Sequence, residues 1–359
     1  MKTITIAEAN ASHPRHDCGT IVELQDGRFM IAWMQYIGGE LIGHDHAPCN
    51  IASMTSSDGG KTWKDHRILV ERDPDDVNVY FPALMRLAAG DILFFYLRYH
   101  QLEPDTPLNA SGCLCRSRDE GMTFSPPITP NILRKTNLLG RTLTQLSCGR
   151  VMLPLEKVLG HWCGTTDHSH AGFCYSDDDG KTWSISPSWI DLPLRGAEEA
   201  HVAELKDGRL LMVLRTQIGA VFQSQSSDRG LTWSKPQTTG LCAPESLPCL
   251  IRLPGTGDLL LIWNHSQYDP RFDHFGKRTP LSTAISRNDG CSWENIKNIE
   301  TDPAWEFTNP TCHVTSRGQV IITYVASPMD NPDPPGRLGR SRMSLKATIG
   351  DVEEFYRPD

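Results

Sequence analysis

The sequence predicts an all-β fold, a six-bladed β-propeller of four-stranded antiparallel blades. Three observations carry that expectation. An octet of the form Ser-x-Asp-x-Gly-x-Thr-Trp occurs five times, as "SSDGGKTW" at 56, "SRDEGMTF" at 117, "SDDDGKTW" at 176, "SSDRGLTW" at 226 and "SRNDGCSW" at 286. The copies start 61, 59, 50 and 60 residues apart, the spacing of a repeat architecture. Between them falls a second repeat, a strand, a Gly-containing turn and a strand, and it occurs six times. Finally, the N-terminal "MKTITIAEA" alternates as a strand does.

Each octet reads as a tight turn. Its Asp bonds backbone groups nearby, and its Gly supplies a positive φ. The closing Trp or Phe is expected to drop into a core between neighbouring units. The six hairpins are "GTIVELQDGRFMIAWM" (19), "PALMRLAAGDILFFYL" (82), "RTLTQLSCGRVMLPLE" (141), "AHVAELKDGRLLMVLR" (200), "PCLIRLPGTGDLLLIWN" (248) and "PTCHVTSRGQVIITYV" (310). A further strand pair surrounds each octet, so each period makes one four-stranded unit. The last unit lacks an octet, and "MKTITIAEA" is expected to complete its blade beside "RSRMSLKATIGD".

No linker or low-complexity stretch divides the 359 residues, so residues 1–359 are read as one domain. A net charge of −8 argues against nucleic acid as a partner. No apolar run approaches the ~20 residues of a membrane helix, and the N-terminus lacks the apolar stretch of a signal peptide. The eleven cysteines are scattered and form no CxxC pair. Reduced thiols, at most one disulfide and a cytoplasmic location are therefore expected. No cofactor is called for, and a homo-oligomer is left open.

Topology sorts the polar residues. In an up-and-down blade the octet turn lies at one end of the sheet. The other end collects the segments before first strands, after second strands and before third strands. Those segments hold Arg15, His16 and Asp17; Asn137 and Arg141; Glu198 and Glu199; Glu245; and Glu306 to Asn309. They also hold Arg98, Tyr99 and His100; Glu156; Arg215; Asn264 and His265; His44, Asp45 and His46; and Arg278. Several arginines and carboxylates at one end of a rigid scaffold point to a site there.

With these residues in place, the chain resembles the sialidase (neuraminidase) superfamily, in which the octet is called the Asp box, and within it the bacterial proteins with BNR repeats. The resemblance covers almost the whole chain. It implies an exo-acting site where a sugar carboxylate is held by three arginines, with an acid/base Asp and a Tyr–Glu nucleophile pair. By spacing, Glu199 and Arg215, sixteen residues apart, match the fourth-blade pattern, and Arg278 matches the fifth-blade arginine eight residues before an octet Ser. A guanidinium suits this task because it binds a carboxylate through two parallel hydrogen bonds. Two places depart from the pattern. Ten residues before Gly27, where a first-blade arginine is expected, stands Asp17, with Arg15 two residues upstream. Where the nucleophilic Tyr is expected the chain reads "EFTNPT", with Phe307, Thr308 and Asn309.

The chemistry expected is that of a glycoside hydrolase on an acidic sugar, sialic-acid-like or uronate-containing, without the Tyr nucleophile. Asp45 is the expected acid/base group, flanked by His44 and His46. Glu199 and Glu245 are the expected catalytic carboxylates. Arg15, Asp17, Arg98, Arg141, Arg215, Arg278 and Asn264 are expected to bind substrate. Two alternatives stay open. A uronate lyase would draw on His44, His46, His100 and Tyr99, and a non-catalytic sugar-binding propeller would use Trp33, Trp162 and Trp305 as stacking platforms. The segment with His161, Asp167, His168 and His170 could join the Asp45 loop around a metal, but solvated loops are the plainer reading and no metal is expected.

Overall fold

The structure, a computed structural model, describes residues 1–39, 45–100, 108–160, 167–272, 274–329 and 342–357. The chain is a six-bladed β-propeller of antiparallel sheets, as the repeats predict. Blade 1 runs through strands His16–Glu23, Phe29–Tyr36, Cys49–Ser56 and Lys64–Val70. Blades 4 and 5 repeat this plan from Glu198–Glu204 to Gln237–Cys242 and from Cys249–Arg252 to Glu294–Glu300. Blade 6 uses Trp305–Val314, Gln319–Pro328 and Ser344–Asp351, and the N-terminal strand Lys2–Ala7 pairs with the last of these as its fourth member. In blade 2 the fourth strand is reduced to bridges at Ile128 and Thr136. In blade 3 the first strand is broken into Leu138–Gly140 and Thr144–Gln145.

Contacts group the chain into two compact units, one holding blades 1, 2 and 6, the other blades 3, 4 and 5. Inside each unit the second strands are apolar on both faces. Phe29–Tyr36, for example, is buried at every position, since it packs against neighbouring sheets on either side. The fourth strand of blade 1, Lys64–Val70, carries charge and is mostly exposed, which blunts a free sheet edge. Trp33, Ile31, Ile321 and Leu345 form the core between blades 1 and 6, and Leu211, Val213, Leu261 and Trp263 that between blades 4 and 5.

All five octets are the turns between third and fourth strands. In the first, Ser56 Oγ accepts from Gly60 N at 3.0 Å and donates to Asp58 Oδ1 at 2.9 Å, while Asp58 also accepts from the Thr62 amide and hydroxyl. Gly60 sits at φ 82°, and the same bonds recur around Ser117, Ser176 and Ser226. In the fifth copy Asn288 keeps the geometry by donating Nδ2 to Ser292 Oγ at 2.8 Å. Trp63, Phe124, Trp233 and Trp293 pack against the cores between blades, as expected. Among the described residues, Cys49, Cys113, Cys115, Cys148, Cys174, Cys242 and Cys291 are free thiols. No helix among the described residues is long and apolar enough to cross a membrane.

One backbone device, not anticipated from the sequence, recurs in four first strands. A β-bulge breaks the register after Asp17, Tyr80, Glu198 and Thr308. The next residue, Cys18, Phe81, Glu199 or Asn309, takes a positive φ of 50°, 52°, 42° or 52°. Each stands nine residues before its hairpin glycine, Gly27, Gly90, Gly208 or Gly318. Bulges of this kind re-aim side chains, and left-handed non-glycine residues gather where function requires them.

Candidate active site

In the unit of blades 3 to 5, the ends of the sheets away from the octets carry a buried ionic network. The bulge directs Glu198 and Glu199 to Arg215, which lies opposite Glu198 on the second strand. Arg215 reaches Glu198 Oε2 through Nε at 2.8 Å, Glu199 Oε2 through Nη1 at 2.8 Å and Glu245 Oε1 through Nη2 at 3.0 Å. Arg141, at the break in the first strand of blade 3, takes the other oxygen of Glu199. Arg195 bonds Glu245 and, at 2.5 Å, Asp167. Arg278 is buried and donates Nη2 to the Glu245 carbonyl at 2.9 Å. Asn264 is wholly buried, and its Nδ2 donates to the Arg278 carbonyl at 2.9 Å, bracing the segment that carries that arginine. Glu156 accepts from Ser169 Oγ at 2.7 Å.

Burial and charge split these carboxyls into two kinds. Burial pushes Glu198 well above the usual carboxylate range despite Arg215. Burial and the neighbouring Glu199 raise Glu156 as well. Burial also opposes ionisation of Glu199, but Arg141 and Arg215 outweigh it and hold that carboxyl at about 2. Glu245 is likewise held far down by Arg215, His274 and Arg195 against its burial. Groups whose environments drive them apart in this way are suited to acid and base roles.

The unit of blades 6, 1 and 2 holds a smaller group. Arg15 donates Nε and Nη2 to Asp17 Oδ2 at 3.0 and 2.5 Å, and Nη1 to Asp45 Oδ1 at 2.6 Å. Its guanidinium lies over the Tyr36 ring, 4.6 Å from the centroid. Asn309, the bulge residue of blade 6, donates Nδ2 to Asp17 Oδ1 at 2.8 Å. The Asp17 side chain is 1% exposed and that of Asp45 39%, so Asp45 forms the open rim of the group. His46 Nε2 meets the buried Tyr99 hydroxyl at 3.3 Å. Arg98 belongs to a different set, bonded to Asp73 and Asp76, with His100 on the other oxygen of Asp76.

Several expectations meet the structure directly. Trp33 is no stacking platform, because it is fully buried in the core and donates Nε1 to His16 Nδ1 at 3.0 Å. His16 is correspondingly no acid, since burial lowers its imidazole to about 4. Phe307 is 2% exposed and packs edge-on against Tyr324, whose hydroxyl bonds Thr348. His44, His161 and Trp162 lie outside the described residues. The sequence reading missed Arg195, although it stands in the segment before a first strand, where the topological sorting looks for such residues.

The bladed fold with Asp-box turns and buried arginine–carboxylate groups defines a sialidase-like β-propeller. The chain belongs to the BNR repeat-like domain family, whose match spans residues 27–322. Among curated proteins it is similar to a sialidase of Bacteroides fragilis, 27% identical over 312 residues, 76% of this chain and 53% of the relative. The chain thus spans about half the length of that protein. Among solved structures it resembles a protein of unknown function from Dyadobacter fermentans, with TM-score 0.74, 18% identity and 98% of both chains covered. It also resembles a sialidase of Streptococcus pneumoniae, with TM-score 0.72, 13% identity and coverage of 98% of this chain and 70% of the other.

Proposed function

We propose that the chain is an exo-acting glycoside hydrolase for a sialic-acid-like or uronate-containing sugar, and that it works without a tyrosine nucleophile. The observation that carries the reading is the gathering of four arginines in the Arg215 network. Arg141, Arg195, Arg215 and Arg278 stand against five acids, Glu156, Asp167, Glu198, Glu199 and Glu245. Burial raises Glu156 and Glu198 and so opposes their ionisation beside these arginines. Four guanidinium groups in one network favour an anionic sugar, and their edges suit a carboxylate. The similarity to proteins named sialidases points the same way.

Two sets of carboxylates are tested separately: Asp45, the open acid of the Arg15 group, as proton donor to a leaving oxygen, and Glu199 or Glu245, ionised within the Arg215 network, as base. The burial of Phe307 supports a route without a tyrosyl-enzyme. A second reading, β-elimination on a uronate, draws on the Tyr99–His46 pair. Incubation with sialosides, uronate oligosaccharides and neutral nitrophenyl glycosides tests both. Hydrolysis of acidic substrates alone, giving plain reducing sugar, is expected. An unsaturated product absorbing in the near ultraviolet would transfer the reading to the lyase, and turnover of neutral glycosides only would overturn the acidic substrate class.

A further inference from the structure

We infer that His168, His170 and Asp191 form a site for a first-row divalent transition ion on blade 3. It is separate from the arginine–glutamate network, and the inference does not depend on the hydrolase reading. His168 and His170 stand two apart on the strand His168–Ser176, so both rings leave the same face. That face is opposite to the one on which Ser169 reaches Glu156. Their donor nitrogens and an Asp191 oxygen all lie within 4.8 Å of one another.

The hydrogen bonding at His168 carries the argument. Its Nδ1 lies 2.7 Å from the Leu194 carbonyl, which can only accept, so Nδ1 holds the hydrogen. The other nitrogen, Nε2, lies 2.8 Å from Asp191 Oδ1, and His170 Nε2 approaches the same oxygen at 3.6 Å. In a neutral His168 this places a bare nitrogen against a carboxylate oxygen, two acceptors face to face. Either a proton or a cation must sit between them. Metal bonds of about 2.0–2.2 Å place neighbouring ligand atoms roughly 3.0–3.5 Å apart. The distances of 2.8 and 3.6 Å bracket that range. The Leu194 carbonyl then plays the outer-sphere part that fixes the ring's tautomer and direction.

The frame is built in advance. Asp191 lies on a segment pinned to the histidine strand on both sides, by Ile190 paired with Ala171 and by the Arg195 carbonyl accepting from Ser169 N at 2.8 Å. Lys157, the cross-strand neighbour of His170, has its ammonium over the Trp189 ring, 5.6 Å from the centroid. Two imidazoles and one carboxylate, with remaining positions open to water, suit zinc, cobalt or nickel better than calcium or magnesium. Because Asp191 and Arg195 share one short segment, an ion here stiffens the stretch that presents Arg195 to Asp167 and Glu245.

Titration of the full chain with Co(II), followed by visible absorption, tests the site. At about pH 7.5 one equivalent is expected to give a d–d spectrum that Zn(II) abolishes. His170→Ala and Asp191→Ala should each remove the spectrum while the metal-free melting temperature is unchanged. Glu199→Gln should keep it. The exposed thiols Cys148 and Cys291 are the control. A spectrum that survives both site variants and vanishes when these cysteines are replaced by Ser would overturn the assignment. So would the absence of any spectrum together with the absence of a thermal shift by Zn(II).

Discussion

The Arg15 group of blades 6 and 1 and the Arg215 network of blades 3 to 5 begin from one backbone device and end in opposite regimes. In both, a bulge nine or ten residues before a hairpin glycine turns acidic side chains toward an arginine. The first yields Asp17 beside Cys18, the second Glu198 beside Glu199. Around Arg15 two aspartates share one guanidinium, and Asp45 stays partly open to solvent. Around Arg215 three glutamates converge on one guanidinium with side chains 1–3% exposed. The first group can meet a substrate with little rearrangement. The second stores its charge in low dielectric, where each missing partner is costly.

The largest expected effect follows from that difference. Glu199→Gln leaves Arg141 and Arg215 short of a buried counter-charge and should cost about 3–5 kcal/mol in unfolding free energy. The sign of the pH dependence is fixed by the folded state, which holds Glu199 at about 2, below its unfolded value. Its contribution is present above the ordinary carboxylate range, and it is lost as pH falls toward 2. Acid unfolding of the variant should therefore be shallower in that window. Glu198 runs the other way, being raised, so it stabilises at low pH and the contribution fades as pH rises through its elevated folded value. If denaturant melts of Glu199→Gln and wild type coincide at neutral pH, the network is not a buried store of charge in low dielectric.

Asp45→Asn sharpens the same comparison from the open side. Asp45 is partly exposed and its pairing with Arg15 is a rim contact, so stability should change by less than about 1 kcal/mol. Activity on an acidic glycoside should instead fall by roughly 100–10,000-fold, as loss of a positioned acid does. Full activity in this variant would move the proton donor elsewhere. In the octets the expected effect falls on stability alone. Ser226→Ala removes the Oγ that accepts from Gly230 N at 2.9 Å and bonds Asp228, for about 1–3 kcal/mol with unchanged kcat/KM. A loss of activity at unchanged stability would contradict the structural role of these turns.

The architecture was legible because a repeat states its plan several times. Five octets and six hairpins fixed where turns fall, and alternation in "MKTITIAEA" was enough to assign it to blade 6. The paired carboxylates were only partly legible. Glu199 and Arg215 came from spacing, but Arg195, three residues before Glu198, shows no periodicity and its role depends on Asp167 and Glu245 arriving from the segments before other strands. The bulges left a faint trace, a fixed distance to the hairpin glycine. Neither Cys18 nor Phe81 is a residue type that announces a left-handed backbone. Trp33 shows the reverse error, since an aromatic inside a hairpin strand reads equally well as platform or core until its neighbours are placed.

The proposed hydrolytic site, with carboxylates and no tyrosine, is open to covalent trapping. The protein is incubated with a fluorinated sialic-acid inactivator of the type that traps a tyrosyl-enzyme, and its intact mass and peptides are then read by mass spectrometry. An unmodified protein that still releases sugar from its acidic substrate is expected, because Phe307 is buried and Tyr324 is committed to Thr348. A covalent sugar on any tyrosine would contradict it.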